Sequence, residues 1–144
     1  GTGTPRSRIA SFDSATDEIL YWTFVVPSDM AAGNWLADVS WYSNDVGPTE
    51  TCVWEIFLSA TTEADADTPA EQATGTTNFA SEDVNETEAN RLIQTTVTLS
   101  GLDSVAAGDI VTLRFSRDAD STNATDDLSS DARLTGVRLR IPRS

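Results

Sequence analysis

The feature that most constrains the fold is an alternation of apolar and polar residues along two runs in the last third of the chain. Residues 110–117 and 133–141 both alternate in this way and are rich in Val, Ile, Leu and Thr. A period of two residues is that of a β-strand with one buried face. Two such strands cannot bury their apolar faces alone, so the rest of the chain must supply strands that cover them.

The same signal recurs along the chain, and no segment has a convincing long helical period. It predicts further strands at residues 8–12, 18–26, 34–42, 51–59 and 92–99. Pro27 ends the second of these because proline offers no N–H to a β-ladder. The sequence therefore predicts an all-β protein, an antiparallel β-sandwich of seven or eight strands with jelly-roll topology.

The chain of 144 residues has the length of a single domain, which we assign to residues 1–144. Residues 1–7 are predicted to form a flexible N-terminal arm. Residues 60–91 are predicted to form a long acidic excursion on the surface, with a short strand at 76–80 and a short helix at 67–73, where Pro69 suits a first helical turn.

The net charge of −14 excludes several partners. A surface this acidic repels nucleic acid and anionic membrane surfaces. No run of residues approaches the ~18 apolar residues that predict a membrane span. We therefore expect neither a nucleic-acid partner nor a membrane partner.

The basic residues, all of them arginine, are concentrated at the two ends. Residues 1–12 and 133–144 contain no acid, and between them they carry Arg6, Arg8, Arg133, Arg138, Arg140 and Arg143. Basic ends on an acidic body predict that the termini dock on an acidic surface, either of this body or of a neighbouring subunit. The alternative is that Arg138 and Arg140 lie on the solvent face of a strand.

The residues that usually carry catalysis are missing. The chain has no His, and its single Cys52 lies within an apolar run, which predicts a buried thiol. Glycosidases need two carboxylates, but Glu55 has no acidic residue two or four positions away on its strand. We therefore predict that the protein is not an enzyme, and we assign no catalytic, cofactor or metal residue.

Two binding alternatives remain open. The first is calcium, because hard cations need six to eight oxygen ligands and one loop is rich in carboxylates: Asp118, Asp120, Asp126, Asp127 and Asp131. The EF-hand order is absent, and a solvated acidic loop is the simpler interpretation. In that interpretation Asp118 pairs with Arg117 or Arg133 and fixes the loop.

The second alternative is carbohydrate stacking on tryptophan. Trp22, Trp35, Trp41 and Trp54 all lie in alternating runs, and Trp35 shares a strand face with Trp41. Those two would form a platform if their face were exposed. Packing between two sheets is the interpretation we favour for all four.

Several motifs together resemble a known group of proteins. They are residues 21–27 (YWTFVVP), 53–55 (VWE), 106–109 (AAGD), 117–120 (RDAD) and 131–137 (DARLTGV). From residue 21 to residue 141 the chain resembles small virion proteins encoded among the head and tail genes of tailed bacteriophages and related archaeal viruses. The resemblance implies a structural, non-catalytic jelly roll displayed on a capsid or tail, with no catalytic residue to carry over.

The leading expectation is therefore a capsid decoration or cement protein that stabilises a viral shell. The alternatives are a tail or fibre component, or a carbohydrate-binding β-sandwich module. The expected partners are the major capsid protein or other virion subunits, together with copies of this chain, as a trimer. The basic ends and one sheet edge would clamp the neighbours in a virion assembled in the host cytoplasm.

Overall fold

The structure is a computed structural model that describes residues 9–45, 50–62, 76–84 and 88–144. Among these residues none forms a helix of the length and apolarity that a membrane crossing requires. The described residues form eight strands: β1 (Ala10–Phe12), β2 (Ile19–Val25), β3 (Trp35–Tyr42), β4 (Thr51–Thr61), β5 (Thr77–Asp83), β6 (Ile93–Leu99), β7 (Ile110–Arg117) and β8 (Ala132–Arg140).

The strands form two packed antiparallel sheets. One sheet has the order β1-β8-β3-β6 and the other has the order β2-β7-β4-β5. The first strand pairs with the last, the second with the second-last, and so on towards the middle of the sequence. The pairs are β1–β8, β2–β7, β3–β6 and β4–β5. The chain is thus one long antiparallel hairpin whose successive strand pairs alternate between two sheets. This is jelly-roll topology, so the predicted fold is confirmed.

The strand positions agree closely with the alternating pattern. β7 has the predicted bounds, and β4 runs on to Thr61. Inside the predicted acidic excursion, β5 is longer than the strand expected there. The N-terminal arm at 1–7 and the helix predicted at 67–73 lie outside the described residues.

The core lies between the two sheets and is centred on Trp54. Its ring stacks on Phe115 at a centroid distance of 5.1 Å. It also meets Phe12 at 5.2 Å and Trp41 at 5.9 Å, both edge-on. Cys52 lies on the same face of β4 and is fully buried, and this burial raises the pKa of its thiol. The thiol therefore stays protonated, which is the inert state predicted for it.

A single guanidinium fastens the long loop between β7 and β8 to the sandwich. Arg117, at the end of β7, is fully buried and forms a two-pronged ion pair with Asp126, with N–O distances of 2.9 and 2.6 Å. Its other N–H groups donate to the carbonyls of Ser130 (2.8 Å), Leu128 (2.5 Å) and Asp13 (3.2 Å). Asp126 also accepts the N–H of Val53 in β4 at 2.9 Å. The sequence prediction that Asp118 pairs with Arg117 or Arg133 is wrong, because Asp118 accepts backbone N–H groups of its own loop.

We predict that Arg117→Lys destabilises the fold by about 3 kcal/mol, because an ammonium cannot reproduce the planar fork and leaves buried acceptors without donors. Arg91→Lys is the matched control. Its ion pair with Glu88 is more than half exposed on both sides, and such pairs contribute less than about 1 kcal/mol. Urea unfolding of both variants measures the difference, and equal losses would contradict the central role of Arg117.

Candidate functional site

Among the residues that the structure describes, one side of the sandwich is left open. β1 pairs only with Ala132, Arg133 and Leu134, whereas β8 continues to Arg140. β2, the edge strand of the second sheet, lies opposite the uncovered part of β8. An apolar cavity of about 190 Å³ lies between them. Its lining includes Leu20, Trp22, Phe115, Leu134 and Val137.

β2 exposes apolar side chains on both faces. Leu20 and Trp22 face inward, opposite Phe115 and Leu113 of β7, yet they are 42% and 45% exposed because the first sheet does not cover them. The outward residues Ile19, Tyr21 and Val25 are also exposed, as is Ile110 beside them. We call this set the β2 surface: Ile19, Leu20, Tyr21, Trp22, Val25 and Ile110.

The β2 surface is large and almost uncharged. A whole aromatic side chain presents roughly 200 Å², so the exposed parts of Tyr21 and Trp22 alone give roughly 200 Å². The four aliphatic side chains bring the surface to several hundred Å², the size of patches that are often functional on monomers. No residue from Ile19 to Val25 is charged, and in the paired part of β7 the one charge is Arg114, which lies 5.4 Å from the ring of Phe57.

No described strand other than β7 pairs with β2, so the outer edge of β2 has free backbone groups within the described part of the chain. The N–H of Val26 donates to the carbonyl of Asp109 at 2.8 Å, on the β7 side. Because N–H directions alternate along a strand, the N–H groups of Ile19, Tyr21, Thr23 and Val25 point away from β7. Edge strands are usually protected from association by charges, prolines or bulges, and β2 contains none of these.

The C-terminal arginines bind acids of their own chain. Arg138 and Arg140 both contact the carboxylate of Asp38 on β3, at 2.7 and 2.8 Å, and Arg143 pairs with Asp29. Arg133 lies over the ring of Tyr42 at 5.7 Å. The C-terminal end therefore docks on the body of the same chain, and Arg138 and Arg140 also lie on the solvent face of β8, as the alternative prediction had it. Arg6 and Arg8 lie outside the described residues.

These contacts change the acidity of Asp38. Its carboxylate is 2% exposed, and the hydrogen bond from Arg140 is the largest cause that lowers its pKa from 3.8 to about 2. Burial opposes this effect, while hydrogen bonds from Arg138 and Thr96 add to it. The result is a polar row across the outer face of the first sheet that joins β6, β3 and β8.

The acids proposed for calcium serve mainly to shape the loop. Both oxygens of Asp118 accept backbone N–H groups, from Thr122 at 2.8 Å and from Asn123 at 2.9 Å. Asp127 accepts the N–H of Thr51, and Asp131 accepts the hydroxyl of Ser11. With Asp126 held by Arg117, the five loop acids do not converge on one point.

Three carboxylates do approach one another. The ligand atoms of Asp17, Asp118 and Asp120 lie within 4.8 Å of each other. Asp17 accepts the N–H of Ala119 at 2.9 Å, and Asp120 accepts that of Thr122 at 3.1 Å. Each of the three carboxylates thus accepts at least one backbone N–H of the loop, and these bonds fix their positions.

Glu55 is the buried carboxylate beside this cluster. It accepts the hydroxyl of Ser116 at 3.1 Å and the side-chain amide of Asn123. Burial raises the pKa of Glu55, and the negative charge of Asp118 raises it further. Glu55 faces away from the apolar cavity, whose lining contains no acid, base or nucleophile other than the phenol of Tyr21. The cavity can therefore bind apolar groups, but it offers no carboxylate to a reaction.

The proposed carbohydrate platform is wrong. Trp35 and Trp41 are both fully buried between the sheets, as is Trp54. The exposed tryptophan is Trp22, which sequence reasoning placed in the core. The sequence carried no signal for this exposure, because an uncharged run such as residues 19–27 is also what a buried strand would have.

We predict that Asp38→Asn lowers the free energy of unfolding at neutral pH by about 1–2 kcal/mol. The shift of its pKa from 3.8 to about 2 corresponds to somewhat more, but the partly exposed arginines are screened by solvent. A lowered pKa stabilises the fold above pH 3.8, and this contribution disappears as the pH falls towards about 2. Urea unfolding from neutral to acid pH should show the gap between wild type and variant closing, and a constant gap would contradict this.

We predict that acrylamide quenches a fraction of the tryptophan fluorescence at high dilution, and that Trp22→Phe removes most of this fraction. Trp22 is 45% exposed, while the other three indoles are fully buried. Trp54→Phe is the control and should leave the quenched fraction in place. Equal quenching of the wild type and the Trp22→Phe variant would contradict the exposure of this surface.

Comparison with known proteins supplies no relative. No protein-family model, no curated protein and no solved structure matches the chain. The resemblance to virion proteins therefore stays a prediction from motifs. The jelly-roll fold does not depend on it, because it follows from the order and pairing of the strands.

Proposed function

We propose that this protein is a non-enzymatic structural protein of a virion, a capsid decoration protein that stabilises the viral shell. The single observation that carries the proposal is the β2 surface, an apolar and uncharged strip on an otherwise strongly acidic molecule. Contiguous apolar patches on a soluble domain mark surfaces that associate with other molecules. The motifs between residues 21 and 141 resemble those of virion proteins, and this resemblance supports a virion as the assembly.

The mechanism is mechanical. The sandwich is stiffened by its aromatic core and by the buried Arg117–Asp126 pair, so it presents β2 as a rigid edge. The edge offers backbone N–H and carbonyl groups together with apolar side chains, which is what a neighbouring subunit needs to extend a sheet. The neighbour is the major capsid protein, another virion subunit or a copy of this chain. The acidic remainder faces solvent and repels other particles.

A sugar-binding function has less support. Carbohydrate sites combine an exposed aromatic face with polar groups that orient hydroxyls. Trp22 supplies an exposed indole, but around it the cavity is lined by Leu20, Ile56, Leu113 and other apolar residues. This lining suits an apolar side chain better than a sugar.

We predict that viral particles made without this protein have less stable shells, and that Tyr21→Glu combined with Val25→Glu reproduces the defect. Both substitutions place charge on exposed positions of β2, where the folded monomer tolerates it. The matched control is Gln94→Glu combined with Thr98→Glu, at exposed positions of the edge strand β6 in the other sheet.

Electron microscopy and heat release of the genome measure the outcome. Density for the protein on the shell, lost with the β2 variant and kept with the β6 variant, is the expected result. Density on the tail instead would replace the decoration role with that of a tail or fibre component. Normal shells and tails in particles that lack the protein would contradict a virion function.

A further inference from the structure

The β2 surface also indicates which molecule it binds, on the assumption that it is the contact surface of the proposed function. The chain carries −14, so two copies repel one another wherever their acidic surfaces meet. β2 is a place where two copies can approach without bringing acids together, because Ile19–Val25 holds no charge. Its several hundred Å², with the free strand edge added, approach the ~800 Å² per partner of a standard interface.

We propose that a second copy of this chain binds here, with the two β2 strands antiparallel about a two-fold axis that passes through Trp22. The free N–H groups belong to Ile19, Tyr21, Thr23 and Val25. Antiparallel strands exchange paired hydrogen bonds between residues whose free groups face each other. An axis at Trp22 places Tyr21 opposite Thr23 of the partner subunit, and Ile19 opposite Val25 of the partner subunit. All four free positions are then paired on both copies.

The same register joins the inward side chains. Leu20 meets Phe24 of the partner subunit, and Trp22 meets Trp22 of the partner subunit across the axis. Directly opposed residues without mutual hydrogen bonds bring their side chains closest together, at Cα separations near ~4.5 Å. The exposed indoles therefore cover one another. The two four-stranded sheets that contain β2 become one continuous sheet of eight strands.

A two-fold pairing fits this strand better than a head-to-tail pairing. If β2 bound the other edge of its sheet, β5, it would meet a strand that ends in the exposed acids Glu82 and Asp83. A head-to-tail contact of that kind also forms rings or open filaments, whereas a two-fold contact closes after two copies. We therefore expect the chain to form a dimer, in place of the trimer expected from the sequence.

Charge substitutions at residues that face each other in the proposed dimer test the register of the two β2 strands. Ile19→Glu combined with Val25→Glu places like charges opposite each other at two symmetric positions of the dimer. Ile19→Glu combined with Val25→Arg removes the same apolar side chains but places opposite charges there. Sedimentation equilibrium at low ionic strength should show a dimer for the wild type, and dimerisation at least about tenfold weaker for the Glu–Glu variant than for the Glu–Arg variant.

Cross-linking tests the position of the axis. Trp22→Cys should form an intermolecular disulfide under mild oxidation, because only a residue on the axis faces its own copy at a separation that a disulfide spans. Thr23→Cys and Phe24→Cys are the controls and should not form one, since their partners are different residues. The native Cys52 is fully buried and does not compete.

The outcomes separate this inference from the proposed function. A wild-type chain that stays monomeric at millimolar concentration, or equal dimerisation of the two charge variants, would overturn the two-fold pairing. Circular dichroism must show that both variants are folded. If the chain is monomeric but the β2 variant still loses its place on the particle, the partner is another virion subunit and the proposed function stands.

Discussion

The buried ion pair between Arg117 and Asp126 is the interaction on which the rest of the structure depends. It lies at the end of β7, the strand that pairs with β2, and it ties the loop between β7 and β8 to β4 and to the carbonyl of Asp13 ahead of β2. Burying a guanidinium is costly unless its donors are satisfied, and here the carboxylate and several loop carbonyls satisfy them. The edge of the sandwich is therefore positioned by a polar contact as much as by the apolar core.

The carboxylates differ in whether they have a partner inside the chain. Asp126 and Asp38 are held by arginines, and Asp118 is held by backbone N–H groups, so these three carboxylates are compensated inside the chain. The buried Glu55 has the neutral donors of Ser116 and Asn123 instead, and its pKa is raised. Most of the other acids in the described part of the chain are exposed, and they contribute to the strong negative field of the molecule. Against that field the absence of charge along β2 stands out. An acidic body discourages association everywhere except at a strip that is apolar and has free hydrogen-bonding groups, which makes the contact selective.

Much of the fold could be predicted from the sequence, because the period of two residues determines which side chain faces the core. The faces of β3 and β4 follow from their alternation, with Trp41 and Trp54 inward as expected. The sequence could not predict how far one sheet covers the inner face of the other. The exposure of Trp22 arises because β1 has three residues and leaves most of β8 uncovered, a property of the opposite sheet. Likewise, Arg117 forms its ion pair with Asp126 and not with the adjacent Asp118. The conformation of the loop determines this pairing.

The central claim is that β2 is an unpaired sheet edge that becomes paired when the protein associates. Residue-resolved amide hydrogen exchange, followed by nuclear magnetic resonance at low and high protein concentration, tests it most directly. We expect slow exchange at Leu20, Trp22 and Phe24 throughout, and exchange at Tyr21 and Thr23 that is fast in dilute solution and slow in the associated protein. Fast exchange at Tyr21 and Thr23 under both conditions would contradict it.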